Sequence, residues 1–159
     1  MSTNIRPATI GDEALLASLN GFVQELHLGS RPDHFRSTQS AELVTWYRSL
    51  LEKSTTRIWI AEEEGSPVGY LLAILHQAPE NPFVRARRWC EIDQVAVDPR
   101  RRRRGIARAL ILSALSWAKK EGIPQTEAAS WSFNDGAHEV LRRLGFVPKT
   151  TRFEFKPPG

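Results

Sequence analysis

Residues 95–110, VAVDPRRRRRGIARAL, place five consecutive arginines between the end of a β-branched run and the start of a helical pattern. The run at 87–97 predicts a strand, and the apolar periodicity of 105–122 predicts a helix. The first turn of a helix has N–H groups without intrahelical partners and carries partial positive charge, so it can bind an anion such as a diphosphate. Gly105 removes a side chain that would block close approach, and neighbouring arginines can bind phosphate with two N–H groups at once. The stretch therefore predicts an anion-binding turn.

The net charge of the chain depends on this arginine run. Lys and Arg together number 22 and Asp and Glu 18, which gives a formal net charge of +4 and a pI near 9.6. Without Arg100–Arg104 the same count leaves −1. A protein that follows a nucleic-acid duplex usually spreads Lys and Arg over a face or a stripe. A compact anion site therefore fits better, and a nucleic-acid-binding module using the run is kept as an alternative.

The bulk composition is that of an ordinary soluble protein. The chain has 159 residues, of which 41% are hydrophobic and 25% charged, and this predicts one domain over residues 1–159. No apolar run approaches the ~20 residues that span a bilayer, and the N-terminus has no signal segment, so we expect no membrane partner. The single cysteine, Cys90, fits a reducing cytoplasm. The four histidines show no metal-ligand spacing, and we expect no metal.

Apolar patterns along the rest of the chain predict a mixed α/β layout. Asp12 is expected to cap the first helix and Ser40 the second. The predicted elements are a strand at 4–8, helices after Asp12 and from Ser40, strands at 57–63, 67–77 and 87–97, a helix at 105–122, a strand at 126–131, a helix at 134–144 and a closing strand at 145–156.

The stretch at 95–110 resembles the acetyl-CoA-binding motif of the GNAT N-acetyltransferase superfamily. That motif runs Arg or Gln, two residues, Gly, one residue, then Gly or Ala, and it falls here on Arg102, Gly105 and Ala107. A second family element, Asn then Ala and ending in Gly-Phe, is similar to FNDGAHEVLRRLGF at 133–146. The resemblance covers nearly the whole chain. It implies a GNAT-like acyl-CoA N-acyltransferase fold of the α/β (α+β) class, with a mixed, mostly antiparallel central sheet flanked by helices.

The resemblance also implies acetyl-CoA as co-substrate and suggests the residues that hold it. In such enzymes the strand before the turn splays from the next strand, and pantetheine pairs with its exposed backbone. Asn134 would contact the cofactor arm, although it is explained equally well as a helix N-cap. Carried over, the pantetheine contacts are Val95, Ala96 and Val97, and the diphosphate contacts are Arg102, Arg103, Arg104, Gly105, Ile106, Ala107 and Arg108.

Two carboxylates on the predicted strand are candidates for the catalytic base. An alkylamine has a pKa near ~10.4, so its proton must be removed before it can attack a thioester. Glu91 and Asp93 share strand parity and are expected on one face. The resemblance gives Glu91, fourteen residues before Gly105, the general-base position of histone acetyltransferases, and Asp93 the acidic position of some small-amine acetyltransferases. Both would be structural if they paired with a nearby arginine, and the choice between them stays open.

The expected reaction is transfer of an acetyl group from acetyl-CoA to a primary amine by direct attack, with a carboxylate or water-mediated base and a backbone N–H near Val95–Val97 at the oxyanion. The family often places a tyrosine seven residues after the motif asparagine as general acid, but that position is Leu141 here. We therefore assign no acid, and a non-catalytic acyl-CoA-binding domain is a further alternative. The acceptor is a small molecule or a protein or peptide amine, and a homodimer is an option common in the family.

Overall fold

The computed structural model describes residues 2–159, which divide into two compact units, one ending at Ala129 and the other formed by Ser130–Gly159. The first unit is built on one sheet. Its strands are β1 (Thr3–Pro7), β2 (Thr56–Glu63), β3 (Ser66–Ala78), β4 (Arg87–Val97) and β5 (Thr126–Ala128), and they lie in chain order. The first four pair antiparallel, and β5 pairs parallel with β4. The prediction of a mixed, mostly antiparallel sheet is confirmed.

Helices cover both faces of this sheet within the first unit. They are α1 (Glu13–Ser30), α2 (Ser40–Leu51) and α3 (Ile106–Lys120). Leu16 and Leu19 of α1 and Tyr47 of α2 join one buried cluster on the first face. On the other face the ring of Trp117 in α3 contacts the ring of Trp59 in β2, with centroids 5.6 Å apart. Strand side chains alternate between faces, so each strand contributes to both layers of core.

Asp12 occupies the N-cap position of α1 as predicted, although its side chain makes no capping hydrogen bond, whereas the prediction that Ser40 caps α2 is wrong. Arg6 donates to both carboxylate oxygens of Asp12 at 3.0 and 3.1 Å, and the N–H of Thr9 donates to it at 2.8 Å. The Asp12 carboxylate therefore ties β1 to the start of α1. Ser40 is the first residue of α2, and Gln39 occupies the N-cap position without a side-chain bond.

The pairing of β3 with β4 contains a β-bulge at Asp93. Leu72 pairs with Gln94, whereas the next residue of β3, Ala73, pairs with Ile92, so Asp93 is the extra residue. In a bulge, two residues of one strand lie opposite a single residue of the partner strand, and the side chains beside them change direction. The irregularity therefore interrupts simple alternation in the middle of the strand that carries the predicted base.

Gly69 of β3 has no room for a side chain. A Cβ there would lie 2.6 Å from the carbonyl oxygen of Ala96 and 3.3 Å from the Cα of Val97. We expect Gly69→Ala to lower the free energy of unfolding by about 1–3 kcal/mol, measured by urea denaturation, because the two strands would be forced apart. Gly21→Ala in α1 is the matched control. Open space surrounds Gly21, and alanine is the better helix former, so that variant should gain stability. A Gly69→Ala variant as stable as the wild type would contradict the close approach.

The second unit contains the helix α4 (Asp135–Arg143), and residues 130–159 include no strand. The predicted helix is confirmed, whereas the closing strand at 145–156 is wrong. Its apolar side chains lie open to solvent, with Val147, Phe153 and Phe155 each at least 81% exposed. Alternation of apolar residues favours a strand, but a strand forms only with a hydrogen-bonded partner. The predicted strand at 126–131 is also shorter and ends at Ala128.

Candidate functional site

Two acidic side chains organise the turn between β4 and α3. The N–H and guanidinium of Arg100 donate to buried Asp98, with bonds of 2.8–3.1 Å. Arg101 donates to Glu63 at 2.6 Å, and Arg104 lies 3.5 Å from the same carboxylate, which is 2% exposed. The Arg101 guanidinium holds the pKa of Glu63 below its usual range, despite burial. Three of the five arginines therefore fold the turn.

The other two arginines and the start of α3 remain available to a ligand. Arg102 and Arg103 are exposed and form no ion pair within residues 2–159. The first helical bond runs from the N–H of Ala109 to Gly105, so the N–H groups of residues 106–108 have no acceptor inside the helix. Gly105 has φ +77°, and a Cβ there would meet no atom of the described chain within 4 Å. The predicted cradle is thus an open space lined by donors.

The side chains around Gly105 have separate tasks. Ile106 is 2% exposed and anchors α3 in the core, so only its backbone can face a ligand. Ala107 is half-buried and small, whereas Arg108 is exposed. The segment from Arg102 to Arg108 therefore combines free main-chain N–H groups at the start of α3 with exposed arginine side chains, and its contact with a diphosphate stays a prediction.

Strand β4 separates from β5 before it ends. The parallel pairing covers only Cys90–Ile92 with Thr126–Ala128, while pairing with β3 continues to Val97. The β5-side edge of residues 93–97 therefore lacks a strand partner within residues 2–129. The side chain of Ala96 is buried in the core, so residues 95–97 can meet a ligand through their backbone, which an extended amide-containing chain such as pantetheine would pair with.

The two predicted catalytic carboxyls are neighbours on β4. Glu91 pairs with Ile74, which packs on the face covered by α1 and α2. The carboxyl of Asp93 lies close enough to that of Glu91 to interact with it electrostatically. Partial desolvation, then the adjacent Glu91 carboxylate, raises the pKa of Asp93. A carboxyl beside another carboxyl is harder to ionise, and this acts on Asp93 although the residue is exposed.

The expected alternative, that arginines neutralise this pair, is not what the structure contains. Arg87 contacts Glu127, and Arg104 lies beside Glu63. Within residues 2–159 the charged-group contact of Glu91 is His76, with Nε2 and Oε1 3.5 Å apart. Neither carboxyl of the pair is therefore held by a guanidinium, and both stay accessible to protons.

A buried polar network beside the pair was not predicted from the sequence. The hydroxyl groups of Tyr70 and Tyr47 both donate to Oε1 of Gln94, at 2.6 and 3.0 Å, and Asn20 donates to Tyr70 at 3.0 Å. Burial raises the pKa of Tyr70 to about 12 and that of Tyr47 further. The network fixes the side chain after the bulge. Simple alternation would place Gln94 on the opposite face from Glu91. The bulge at Asp93 explains why Gln94 instead reaches Tyr47 and Tyr70.

Asn134 caps α4 within the second unit. Its Oδ1 accepts a hydrogen bond from the N–H of Ala137 at 3.3 Å. The N-cap interpretation is therefore confirmed, and a contact between Asn134 and the cofactor stays a prediction.

The sequence profile of the Acetyltransferase (GNAT) family matches residues 22–146. The chain belongs to this family. The resemblance drawn from Arg102, Gly105 and Ala107 is thereby confirmed, as is the predicted fold class. An N-acetyltransferase of Methanocaldococcus jannaschii is 34% identical over 105 residues, which make up 65% of this chain and 45% of that protein. A second curated relative is matched over 58% of its length, so the chain spans about half the length of the curated relatives it matches.

Solved structures of other GNAT proteins share the fold. A tetramutant of the BH1408 protein of Bacillus halodurans superposes with a TM-score of 0.90 and 25% identity, over 96% of this chain and 99% of that one. The aminoglycoside N-acetyltransferase AAC(6')-Iy, solved with CoA, has a TM-score of 0.78 at 18% identity, over 99% of this chain and 96% of its own.

Residues 2–159 contain no group of three or more His, Cys, Asp or Glu side chains arranged to hold a metal ion. None of the helices described has the length and apolar content needed to cross a bilayer.

Proposed function

We propose that this GNAT protein is an N-acetyltransferase that transfers the acetyl group of acetyl-CoA to a primary amine, with residues 1–159 acting as one catalytic domain. The observation that carries the proposal is an arrangement on β4. The strand has an unpaired edge at 93–97, leads into the helix N-terminus at Gly105, and holds the Glu91–Asp93 pair. Family membership supports the same conclusion.

The residues of this arrangement fit acetyl-CoA. The open space over Gly105 and the free N–H groups of 106–108 suit a diphosphate, and Arg102 and Arg103 add charge. The free backbone of Val95–Val97 suits the amide groups of pantetheine. A solved GNAT relative, AAC(6')-Iy, contains CoA. When bound, acetyl-CoA would supply an acetyl group already activated as a thioester.

Glu91 is the base in this proposal. An amine acceptor reaches the protein mainly as its ammonium form, since alkylamines have pKa values near ~10.4. Glu91 is chosen because its Oε1 lies 3.5 Å from His76 Nε2, a possible N–H donor, whereas the pKa of Asp93 is raised by desolvation and by the neighbouring carboxyl. Glu91 then takes the proton of the ammonium and frees the lone pair of the nitrogen. Backbone N–H groups on the open edge of β4 would donate to the carbonyl oxygen as negative charge develops there.

No side chain is assigned as the acid for the departing thiolate. The Tyr47 and Tyr70 hydroxyls are buried and already donate to Gln94. Leu141 stands where many relatives have a tyrosine. A thiol is acidic enough to depart as its anion and to take its proton from solvent.

Amine-dependent thiol release tests the proposal. Purified protein and acetyl-CoA are mixed with a panel containing a polyamine, an amino acid, an aminoglycoside, a peptide N-terminus and a protein lysine substrate. We expect at least one amine class to release thiol, with one acetyl group gained per thiol by mass spectrometry. Acetyl-CoA binding without turnover on every class would favour a non-catalytic acyl-CoA-binding domain. Tight DNA or RNA binding that falls steeply with salt, without acetyl-CoA binding, would favour the nucleic-acid alternative.

The arginines of the turn should differ in their effects on acetyl-CoA affinity. Arg102→Gln is expected to weaken binding about tenfold, because it removes a charge-assisted phosphate contact. Arg100→Gln is the control, since Arg100 is engaged with Asp98 and should leave affinity nearly unchanged. Titration calorimetry measures both. Equal losses of acetyl-CoA affinity in Arg102→Gln and Arg100→Gln would indicate a diffuse positive field in place of a shaped site.

Arg101→Gln should instead lower the free energy of unfolding, because it leaves the buried Glu63 without its closest cation.

A further inference from the structure

We propose that His76 of β3 is a positioning residue for Glu91, and that its Nε2–H holds the Glu91 carboxylate in place as the base. The inference rests on the proposed function and decides which member of the Glu91–Asp93 pair takes the acceptor proton. It comes from a cluster of side chains on the face of the sheet covered by α1 and α2, where His76 and Trp89 pair across β3 and β4.

The first observation is a polar atom whose nearest charged neighbour is Glu91. His76 Nε2 is buried and has no hydrogen-bond partner within residues 2–159, yet it lies 3.5 Å from Glu91 Oε1. A buried polar nitrogen without a partner is costly and uncommon in folded proteins. Catalytic hydrogen bonds are often long before substrate binds and tighten in the complex. A small movement of the half-exposed Glu91 side chain would complete the hydrogen bond between His76 Nε2 and Glu91 Oε1.

The second observation is that the imidazole plane is fixed. The rings of His76 and Trp89 are stacked, with centroids 5.0 Å apart and an interplanar angle of 17°. The guanidinium of Arg87 lies over the Trp89 ring at 4.1 Å. Stacking holds the ring in one orientation, so Nε2 stays directed at the carboxylate with little loss of rotamer freedom on binding.

The surrounding charges favour donation to Glu91. The titratable groups that face His76 from β4 are Glu91 and Asp93, and the charge of His76 acts on Asp93 as well. Arg87, on the same strand, is engaged by Glu127 of β5. Glu91 Oε1 lies 3.5 Å from His76 Nε2, so Glu91 is the acceptor that an N–H donor at this position meets. Nε2 can donate from an imidazolium, and also from a neutral imidazole whose proton is on Nε2.

Two variants distinguish the effect of the hydrogen-bond donor of His76 from the effect of its aromatic ring. His76→Phe keeps an aromatic ring on Trp89 and removes the donor, and it should lower kcat about 10- to 100-fold with an unchanged KM for acetyl-CoA. His76→Gln keeps a donor near the position of Nε2 and should retain kcat within about threefold, as a conservative rescue. His34→Gln, at an exposed histidine of the loop between α1 and α2, is the control and should leave kcat unchanged.

A double variant tests whether His76 acts through Glu91. Once Glu91→Gln has removed the base, adding His76→Phe should cause almost no further loss of kcat, because the two side chains act as one unit. Multiplicative losses, or an unchanged kcat in His76→Phe, would overturn the inference. A loss in His76→Phe with none in Glu91→Gln would overturn it too, and would remove Glu91 from the proposed function while leaving the acetyl transfer itself intact.

A measurement without turnover keeps the inference testable if no acceptor is found. Long-range ¹H–¹⁵N spectra of the histidine rings report which nitrogen carries the proton. We expect His76 to be protonated at Nε2 in the wild type and the Nε2 signal to move in Glu91→Gln. A neutral ring protonated only at Nδ1, or an Nε2 signal unaffected by Glu91→Gln, would contradict the positioning role.

Discussion

Glu91→Gln is expected to lower turnover by about 10²–10⁴-fold, the range for loss of a general base. The substitution preserves the shape of the side chain on β4, so acetyl-CoA affinity should stay unchanged. The loss should shrink as pH rises, because a larger fraction of the acceptor amine is then already neutral. Steady-state kinetics over a pH series, with acetyl-CoA binding measured separately by calorimetry, check both parts of this expectation.

Asp93→Asn is the paired control, two residues along the same strand. In the proposed function Asp93 takes no proton from the acceptor, and Asp93→Asn keeps the shape of its side chain. We therefore expect a small loss of turnover with little pH dependence. A pH-dependent loss in Asp93→Asn alone would make Asp93 the base. If neither variant loses turnover, deprotonation occurs through water or before binding, and both assignments fall.

Gly105→Val is expected to weaken acetyl-CoA binding by about 10- to 100-fold, equivalent to losing one or two charge-assisted hydrogen bonds. The reason is steric, because the branched Cβ would enter the open space over the first turn of α3, where the diphosphate would meet the N–H groups of 106–108. Titration calorimetry on the folded variant measures the change. Unchanged affinity would place the cofactor elsewhere.

Gly122→Val separates this effect from backbone strain. Gly122 follows the other end of α3, has φ +69°, and is also surrounded by open space. A side chain at either glycine must adopt a left-handed conformation, which costs about 1–2 kcal/mol. Both variants should therefore lose similar stability in thermal unfolding, while Gly122→Val retains wild-type acetyl-CoA affinity. Equal losses of affinity would mean that strain in α3, and not the cradle, explains the Gly105 result.

Local patterns were sufficient to predict the turn and most of the sheet. Residues 87–122 carry a strand, an arginine turn, a glycine and a helix in consecutive order, so no distant contact was needed to place them. The distinct roles of the arginines could not be predicted, because they depend on Glu63, which reaches Arg101 across the fold. In the sequence, five identical side chains offer no signal that one binds a buried carboxylate and another stays exposed.

Strand β4 shows where alternation fails as a guide. Parity predicts Glu91 and Asp93 on one face, and the structure brings the two carboxyls together. It also brings Gln94 toward Tyr70, because the bulge at Asp93 shifts the register by one residue. A bulge leaves no clear mark in a single sequence. His76 was missed for a related reason, since its contact with Glu91 depends on the pairing register of β3 with β4.

The closing segment at 145–156 shows a different error, because a strand predicted there does not form. Phe153 and Phe155 alternate with polar residues and predict a strand, but both side chains are exposed and the segment pairs with no strand within residues 130–159. Alternation describes which residues could share a face, whereas a strand also needs a hydrogen-bonded neighbour.

In the proposed function the turn at Arg102–Arg108 and the open edge of β4 bind acetyl-CoA, with the diphosphate held at the N-terminus of α3. Calorimetric titration of the wild-type chain with acetyl-CoA and with S-acetylpantetheine, which lacks the diphosphate and the nucleotide, tests it most directly. We predict saturable one-to-one binding of acetyl-CoA and an affinity for S-acetylpantetheine lower by about 100-fold or more. No saturable binding of acetyl-CoA, or equal affinity for the two compounds, would contradict the claim.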